Sequence, residues 1–326
     1  MDIDSHPQLP GLMSRIASAV EQTRGRPLVF GAILNEDEAL VHTLARQGMV
    51  HDVKDPGYGS PMALACRLRN ESMVSVLIEL GVRPSMDDVL AAAESGSFGV
   101  FDVISAIKVS EVSAKGSTIF ESGGPDWAPT LLTKCVTSGS ADIFELAVKR
   151  FEIGCEQFLA LDSGRAIPVL AALEGDKAGV LRVMLASGLD CDTRISVTRQ
   201  GHTEGMTLLS YAAFNGSARC VRTLVDANAS LTGYTHGMTP LQHAIAGASA
   251  DFAGASTNAL ECAKLLLDAG ADYAEKTMAG RSLVQLSSKN EELKTFLKSW
   301  VASKDISSAM NGVKNVSKPS GLESPF

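Results

Sequence analysis

A motif that recurs along the chain limits the fold more than any other feature. Residues 237–244 read Gly-Met-Thr-Pro-Leu-Gln-His-Ala, and residues 205–213 repeat them as Gly-Met-Thr-Leu-Leu-Ser-Tyr-Ala-Ala. Each copy leads to a Leu- and Val-rich stretch, which ends in Asp-Ala-Gly-Ala-Asp at 268–272 and in Asp-Ala-Asn-Ala-Ser at 226–230. Self-similarity at a period of about 33 residues indicates stacked helical hairpins, in which each unit contacts its neighbours.

This pattern resembles the ankyrin repeat family. Leu28 and Pro61 occupy the same place in two earlier units, 33 residues apart. Ser60-Pro61 and Thr239-Pro240 suit helix starts, because the hydroxyl can cap and proline has no N–H to leave unpaired. The resemblance implies an all-α fold, an ankyrin-repeat solenoid of about eight helix-turn-helix units with β-hairpin-like fingers.

The pattern divides the chain into five segments. Residues 1–26 form an N-terminal segment with a capping helix, in which Leu12, Ile16 and Val20 lie at helical spacing. Residues 27–107 hold repeats 1–3, residues 130–300 hold repeats 4–8, and residues 108–129 form an irregular insertion or a bend between two halves. Residues 301–326 have few apolar side chains and are expected to be a disordered tail. Extra residues also fall in the finger at 193–204 and between two helices at 248–257.

Composition limits the classes of partner. Apolar residues make up 45% of the chain and aromatic residues 5%, so we expect a core of small aliphatic side chains. The net charge of -8 and the absence of a Lys/Arg cluster argue against nucleic acid and favour a protein partner, one with a basic patch. The sequence has neither an apolar run long enough to span a membrane nor a secretory signal, so we expect no membrane partner and a cytoplasmic location.

The usual signatures of chemistry are absent from the sequence. It contains no nucleophile elbow, phosphate-binding loop or zinc-protease motif, and its cysteines form no CxxC pair. Cys220 and Cys262 take the same place in consecutive units, which predicts buried thiols. Asp190, Cys191, Asp192 and His202 share one finger, where a solvated polar loop is a better interpretation than a cation site. We therefore expect no catalytic residue, no metal and no cofactor.

The resemblance places recognition on a concave face, formed by the finger tips and by the positions that follow Ala-Ala in each first helix. Aromatic residues and Arg dominate protein interfaces, although Phe214 could instead pack against a neighbouring helix and the fingers could be merely solvated. The family's His after Thr-Pro-Leu is replaced by Ala63, Ser210 and Gln242, so its hydrogen bond to the adjacent loop is lost or altered. The candidate partner-binding residues are Tyr58, Arg67, Glu174, Arg194, Arg199, His202, Phe214, Asn215, Tyr234, His236 and Lys276.

These features predict a non-enzymatic protein–protein interaction module that is monomeric alone. It acts as an adaptor, as an effector exported into a host cell, or as an inhibitor or immunity protein that blocks a toxin. The alternative is an enzyme or effector whose active site lies in the 108–129 or 248–257 insertions.

Overall fold

The computed structural model describes residues 9–23, 25–107, 127–160, 168–199, 202–235, 237–248 and 255–316. After a leading helix, the helices follow one another in pairs, as predicted. They are α1 (Leu9–Thr23), α2 (Leu28–Leu34), α3 (Glu38–Arg46), α4 (Pro61–Arg67), α5 (Glu71–Glu79), α6 (Met86–Ser95), α7 (Phe98–Ala106), α8 (Trp127–Ser138), α9 (Ala141–Arg150), α10 (Pro168–Glu174), α11 (Ala178–Ala186), α12 (Leu208–Asn215), α13 (Ala218–Asp226), α14 (Pro240–Ala248), α15 (Ala255–Asp268), α16 (Leu283–Leu286) and α17 (Glu291–Val316). The predicted all-α repeat fold is confirmed.

Finger loops connect successive pairs. The longest is an antiparallel hairpin of β1 (Arg194–Arg199) and β2 (His202–Thr207), with Arg194 opposite Thr207 and Arg199 opposite His202. This hairpin accounts for the extra residues expected at 193–204. Shorter fingers close with single bridges, between Asp55 and Gly59 and between Thr235 and Met238.

The chain falls into two compact units. Unit 1 comprises Met1–Ala172 and Arg182–Gly188, and unit 2 comprises Leu173–Leu181 and Leu189–Phe326. The two units part within the fifth repeat, and the irregular insertion expected at residues 108–129 stays a prediction. Of that segment, residues 108–126 lie outside the described residues, and residues 127–129 form the first turn of α8.

Short polar side chains start the helices. Ser60 Oγ accepts the amide N–H of Ala63 at 2.9 Å, and Thr207 Oγ1 accepts that of Ser210 at 3.1 Å. Asn70 caps the second helix of its repeat in the same way, through the amide of Met73. Each cap satisfies a donor that has no partner within its helix, which is worth about 1 kcal/mol.

The core consists of small side chains and close backbone contacts. Ala91, Ala92 and Ala93 of α6 are all buried, in keeping with the low aromatic content. A Cβ on Gly247 would lie 2.0 Å from the carbonyl oxygen of Phe214, so α14 packs directly on the end of α12. Small residues therefore set how closely neighbouring repeats approach.

Both ends of the chain differ in detail from the sequence expectation. In α1, Val20 is 53% exposed, and Ala19 is the residue that packs against Gly31 of α2. At the other end, α17 continues to Val316 through the start of the predicted disordered tail at 301–326. Its helical backbone persists there although the segment is polar.

Candidate partner-binding surfaces

In unit 1, the first finger forms a compact cluster around Tyr58. The Arg26 guanidinium carbon lies 4.3 Å from the centre of the Tyr58 ring, and the Phe30 ring lies 5.7 Å away on α2. Arg67 reaches back from the end of α4, and its Nη1 donates to the carbonyl oxygen of Tyr58 at 2.7 Å. Two predicted residues, Tyr58 and Arg67, are therefore brought together, and Arg26 joins them from the loop before α2.

A buried carboxylate holds this finger in shape. Asp55 Oδ1 accepts the amides of Gly57 and Tyr58 at 2.8 and 2.9 Å, and its Oδ2 lies 3.3 Å from Arg26 Nε. Burial by itself raises the pKa of Asp55, but the amides of Tyr58 and Gly57 and the charge of Arg26 outweigh it and lower that pKa. Asp55 is therefore an anion that orients both the turn and Arg26.

The first helices of unit 1 continue this surface. Leu68, next to Arg67, is 44% exposed. Further along the repeats, Glu94 at the end of α6 pairs with Lys134 of α8 at 3.1 Å. Leu68 and Glu94 are exposed, and Lys134 is half-buried.

In unit 2, two successive finger tips each expose a large apolar side chain. Tyr234 is 49% exposed, and its carbonyl oxygen accepts a hydrogen bond from Arg194 Nη2 at 2.9 Å. Met278, in the next finger, is 87% exposed and lies across Gly237, where a Cβ would be 2.0 Å from its sulfur. Gly237 has a φ of 65°, so this position favours glycine for its backbone as well. Lys276 is exposed on the same finger as Met278.

The first-helix side chains of unit 2 are engaged in hydrogen bonds and packing contacts within the unit. Glu174 accepts a hydrogen bond from the Tyr211 hydroxyl, and Asn215 Nδ2 donates to the Tyr211 carbonyl at 3.1 Å. Phe214 is half-buried, with its ring edge-on to buried His243 at a centroid distance of 6.4 Å. The packing alternative weighed for Phe214 therefore describes its position better than a free anchor does.

The loop contact expected to be lost or altered is made in one repeat by a different residue. Buried Gln242 donates from Nε2 to the carbonyl oxygen of Glu275 at 3.1 Å, and its Oε1 accepts the amide of Thr239. His243, one position later, bonds through Nε2 to the carbonyl oxygen of Thr235 at 3.1 Å. Two fingers are thereby tied to α14.

Some predicted residues lie outside the description, and other surface residues were missed. Arg199 and His202 face each other in the hairpin, but their side chains and the whole of His236 lie outside the described residues. Arg26 was missed because it precedes the repeat pattern. Leu68 and Met278 lie at a first-helix position and a finger tip that the family resemblance assigns to recognition, but they were not among the candidate residues.

Residues with reactive side chains have mainly structural roles where they are described. Cys66, Cys135, Cys220 and Cys262 are buried, as predicted for the last two, and burial raises the pKa of Cys262 to about 12. Asp190, Cys191 and Asp192 lie together, but Asp192 accepts the amide of Ser230 and Cys191 donates to the carbonyl of Ala227. Burial and the two carboxylates also raise the pKa of Cys191, so its thiolate form is disfavoured.

A groove of about 370 Å³ lies on the second-helix side of unit 1. It is lined by Phe98, Asp142, Glu145, Leu146 and Lys149. Lys149 pairs with Glu145 within α9 at 2.5 Å. The sequence pattern did not point to this groove.

Paired helices joined by finger loops, with exposed side chains on the fingers and first helices, define a helical repeat protein. Residues 169–277 match the family model of ankyrin repeats (3 copies). The chain is similar to the crystal structure of the human ASB11 ankyrin repeat domain, with a TM-score of 0.50 and 19% sequence identity over 73% of this chain and 96% of that one. Comparison with curated protein sequences gives no match.

The chain thus has the fold of an ankyrin repeat domain, and residues 169–277 match ankyrin repeats. Ankyrin repeats are generally protein–protein interaction modules, and the family is generally non-enzymatic. In the described part of the chain, no helix combines the length and the apolar character that crossing a bilayer requires.

Proposed function

We propose that this protein is a non-enzymatic scaffold that holds a partner protein against its finger tips and first helices. The observation that carries the proposal is the exposure of Tyr234 and Met278 on adjacent finger tips of unit 2. Large apolar side chains at fixed positions on a rigid scaffold are typical interface anchors. Because the scaffold is ordered before binding, few side chains lose freedom on docking, and ordinary contacts suffice for affinity.

The biological consequence of such binding is to tether or to occlude the partner. An adaptor, an exported effector and an inhibitor or immunity protein all use this one physical mechanism, and they differ only in what the partner does. The concave face expected from the family, the cytoplasmic location and the monomeric state stay predictions.

Site-specific photo-crosslinking tests the proposal. A benzoylphenylalanine residue replaces Tyr234 in unit 2 or Leu68 in unit 1. In the control variants the same residue replaces Arg222 or Arg46, whose exposed side chains lie on second helices. We expect one partner to cross-link from Tyr234 or Leu68, and excess unlabelled protein to compete with it. The double variant Tyr234→Ala, Met278→Ala should compete less well for the cross-link at Tyr234.

The opposite pattern would refute the proposal. If the same partner cross-links from Arg46 and Arg222 but from neither finger-side position, the binding surface lies on the second helices. Equal competition by the wild type and the double variant would show that Tyr234 and Met278 are not anchors for the partner.

A further inference from the structure

We propose that the Tyr58 finger of unit 1 binds an acidic, extended segment of the partner protein, with Arg26 and Arg67 paired to its carboxylates. The inference rests on the proposed function, because it states what chemistry the partner presents at one of the binding surfaces. Four observations support it: two oriented guanidinium groups, the engagement of the Asp55 carboxylate within its own finger, the local charge and an exposed leucine.

The two guanidinium groups are held in place before any partner arrives. Arg67 is fixed by its bond to the Tyr58 carbonyl, and Arg26 is fixed by Asp55 and by the face of the Tyr58 ring. A guanidinium carries five N–H donors, and the bonds just described use one on each side chain. Further donors are therefore available for carboxylate oxygens, which arginine binds in a bidentate geometry.

The finger turn between the guanidinium groups of Arg26 and Arg67 is narrow. A Cβ on Gly57 would lie 3.5 Å from Arg26 Nη2, and one on Gly59 would lie 3.8 Å from Arg67 Nη1. Gly57 and Gly59 flank Tyr58, so the two guanidinium groups border the same finger tip. An extended chain crossing this tip can place carboxylates against both.

Local charge favours an anion although the whole chain is acidic. Lys54 is also exposed on this finger, which gives three cationic side chains close to Tyr58. The nearby carboxylates are exposed Asp52 and buried Asp55 and Asp88. Asp55 is already engaged by two amides and Arg26, and Asp88 accepts hydrogen bonds from the hydroxyls of Ser60 and Ser85. The net charge of -8 suggested a partner with a basic patch, but short-range contacts respond to local charge.

Leu68 and the small number of cations favour a peptide over a nucleic acid. An apolar side chain that is 44% exposed beside Arg67 suits a segment that mixes carboxylates with an aliphatic residue. Proteins that bind nucleic acid tightly through the backbone make about six to ten phosphate contacts, and three cations on an acidic protein fall short of that. The structure thus assigns the finger to a carboxylate-rich peptide with an apolar residue.

Fluorescence anisotropy on the full chain tests this assignment. The probes are a short fluorescein-labelled Glu-rich peptide with one central Leu, the same peptide with every Glu replaced by Lys, and a single-stranded oligonucleotide of equal charge. We expect saturable binding of the Glu peptide, weaker binding of the other two, and loss of affinity as salt rises. Arg67→Glu should weaken binding of the Glu peptide by about tenfold or more, because attraction between the side chain and the peptide becomes repulsion.

The matched control is Arg46→Glu, which makes the same charge change on the exposed end of α3 and should alter affinity by less than about twofold. Lys54→Glu, at an exposed finger residue, is a second test if Arg67→Glu fails to fold. The inference is overturned if the Lys peptide or the oligonucleotide binds at least as tightly, if Arg67→Glu and Arg46→Glu act alike, or if the Glu peptide does not saturate. A cross-link from Leu68 combined with a preference for the Lys peptide would keep the proposed function and remove only this inference.

Discussion

The turn between the two helices of a repeat needs one residue with left-handed backbone geometry. Gly96, Gly139 and Gly216 supply it in three repeats, at φ values of 72°, 77° and 73°. In three others the position holds Glu36, Arg69 and Asp176, at 55°, 58° and 49°. A residue with a Cβ costs about 1–2 kcal/mol there, so these repeats carry local strain.

Replacing Glu36 by glycine should relieve that strain. The gain is partly offset by the greater freedom of glycine in the unfolded chain, about 0.5–1 kcal/mol, so we expect Glu36→Gly to raise the free energy of unfolding by about 0.5–1 kcal/mol. Urea denaturation measures the change. Glu36→Ala removes the same carboxylate while keeping the Cβ, and it should give no gain. Equal stabilisation by both variants would mean that the charge, and not the backbone, was responsible.

Gln242 shows what a family pattern conveys and what it leaves open at this scale. The repeat pattern locates position 242 and shows that the family's histidine is replaced there, which predicts a lost or altered contact. The structure shows a contact made by another side chain, because an amide at this position reaches both Glu275 and Thr239. The contact depends on reach and donor chemistry, and residue type alone did not predict it.

Truncation of this buried amide should therefore be costly. Gln242→Ala removes a donor and an acceptor at a residue that is 1% exposed, and we expect a loss of about 1–3 kcal/mol in the stability of unit 2. Gln242→His restores the side chain typical of the family, so it should recover at least half of that loss. Chemical denaturation followed by circular dichroism gives both values, and a His variant as unstable as the Ala variant would contradict this account.

At the scale of elements, helix placement was predictable and surface roles were not. Repeated Thr-Pro or Ser-Pro starts and Gly ends fix where helices begin and stop, because caps and left-handed turns are local. The role of Phe214 depends on His243 in the next repeat, and the cluster at Tyr58 depends on Arg26 from before the first repeat. Contacts between elements decide such roles, and a period of 33 residues does not encode them.

An ion pair joins α1 to the start of α3 and gives stability a pH dependence. Arg15 bonds to Asp37, whose Oδ1 also accepts the amide of Leu40 at 3.0 Å. The bond from Arg15 is the largest cause lowering the pKa of Asp37; burial opposes it, and the Leu40 amide and the charge of Arg15 add to it. Since the folded pKa lies below the unfolded one, the stabilisation is present above about pH 4 and is lost as pH falls through the folded pKa.

Asp37→Asn should remove this pH-dependent term while keeping a residue that caps helices well. Because the pair is partly exposed, we expect a loss of about 0.5–1 kcal/mol at neutral pH and a smaller difference from the wild type at about pH 2–3. Arg15→Gln should have the same effect, and the double variant should lose no more than either single variant. Additive losses, or a difference that persists at low pH, would show that the pair is not the cause.

For the whole molecule, the buried thiols report on each compact unit separately. Cys66 and Cys135 belong to unit 1, Cys220 and Cys262 belong to unit 2, and all four are buried. Cys155 and Cys191 are half-buried, so a thiol reagent should label them in the folded protein. Cys191 should react more slowly than its exposure suggests, because burial, Asp192 and Asp190 raise its pKa.

Repeats within one unit share their cores with their neighbours, so they should unfold together. Pulsed alkylation across a urea series, read by mass spectrometry, should therefore give one midpoint for Cys66 and Cys135 and one for Cys220 and Cys262. The intrinsic reactivity of the four thiols is compared in fully denaturing urea, which corrects for differences in local sequence. If Cys220 and Cys262 became reactive at clearly different urea concentrations, the sixth and seventh repeats would unfold independently, and unit 2 would not be a single cooperative body.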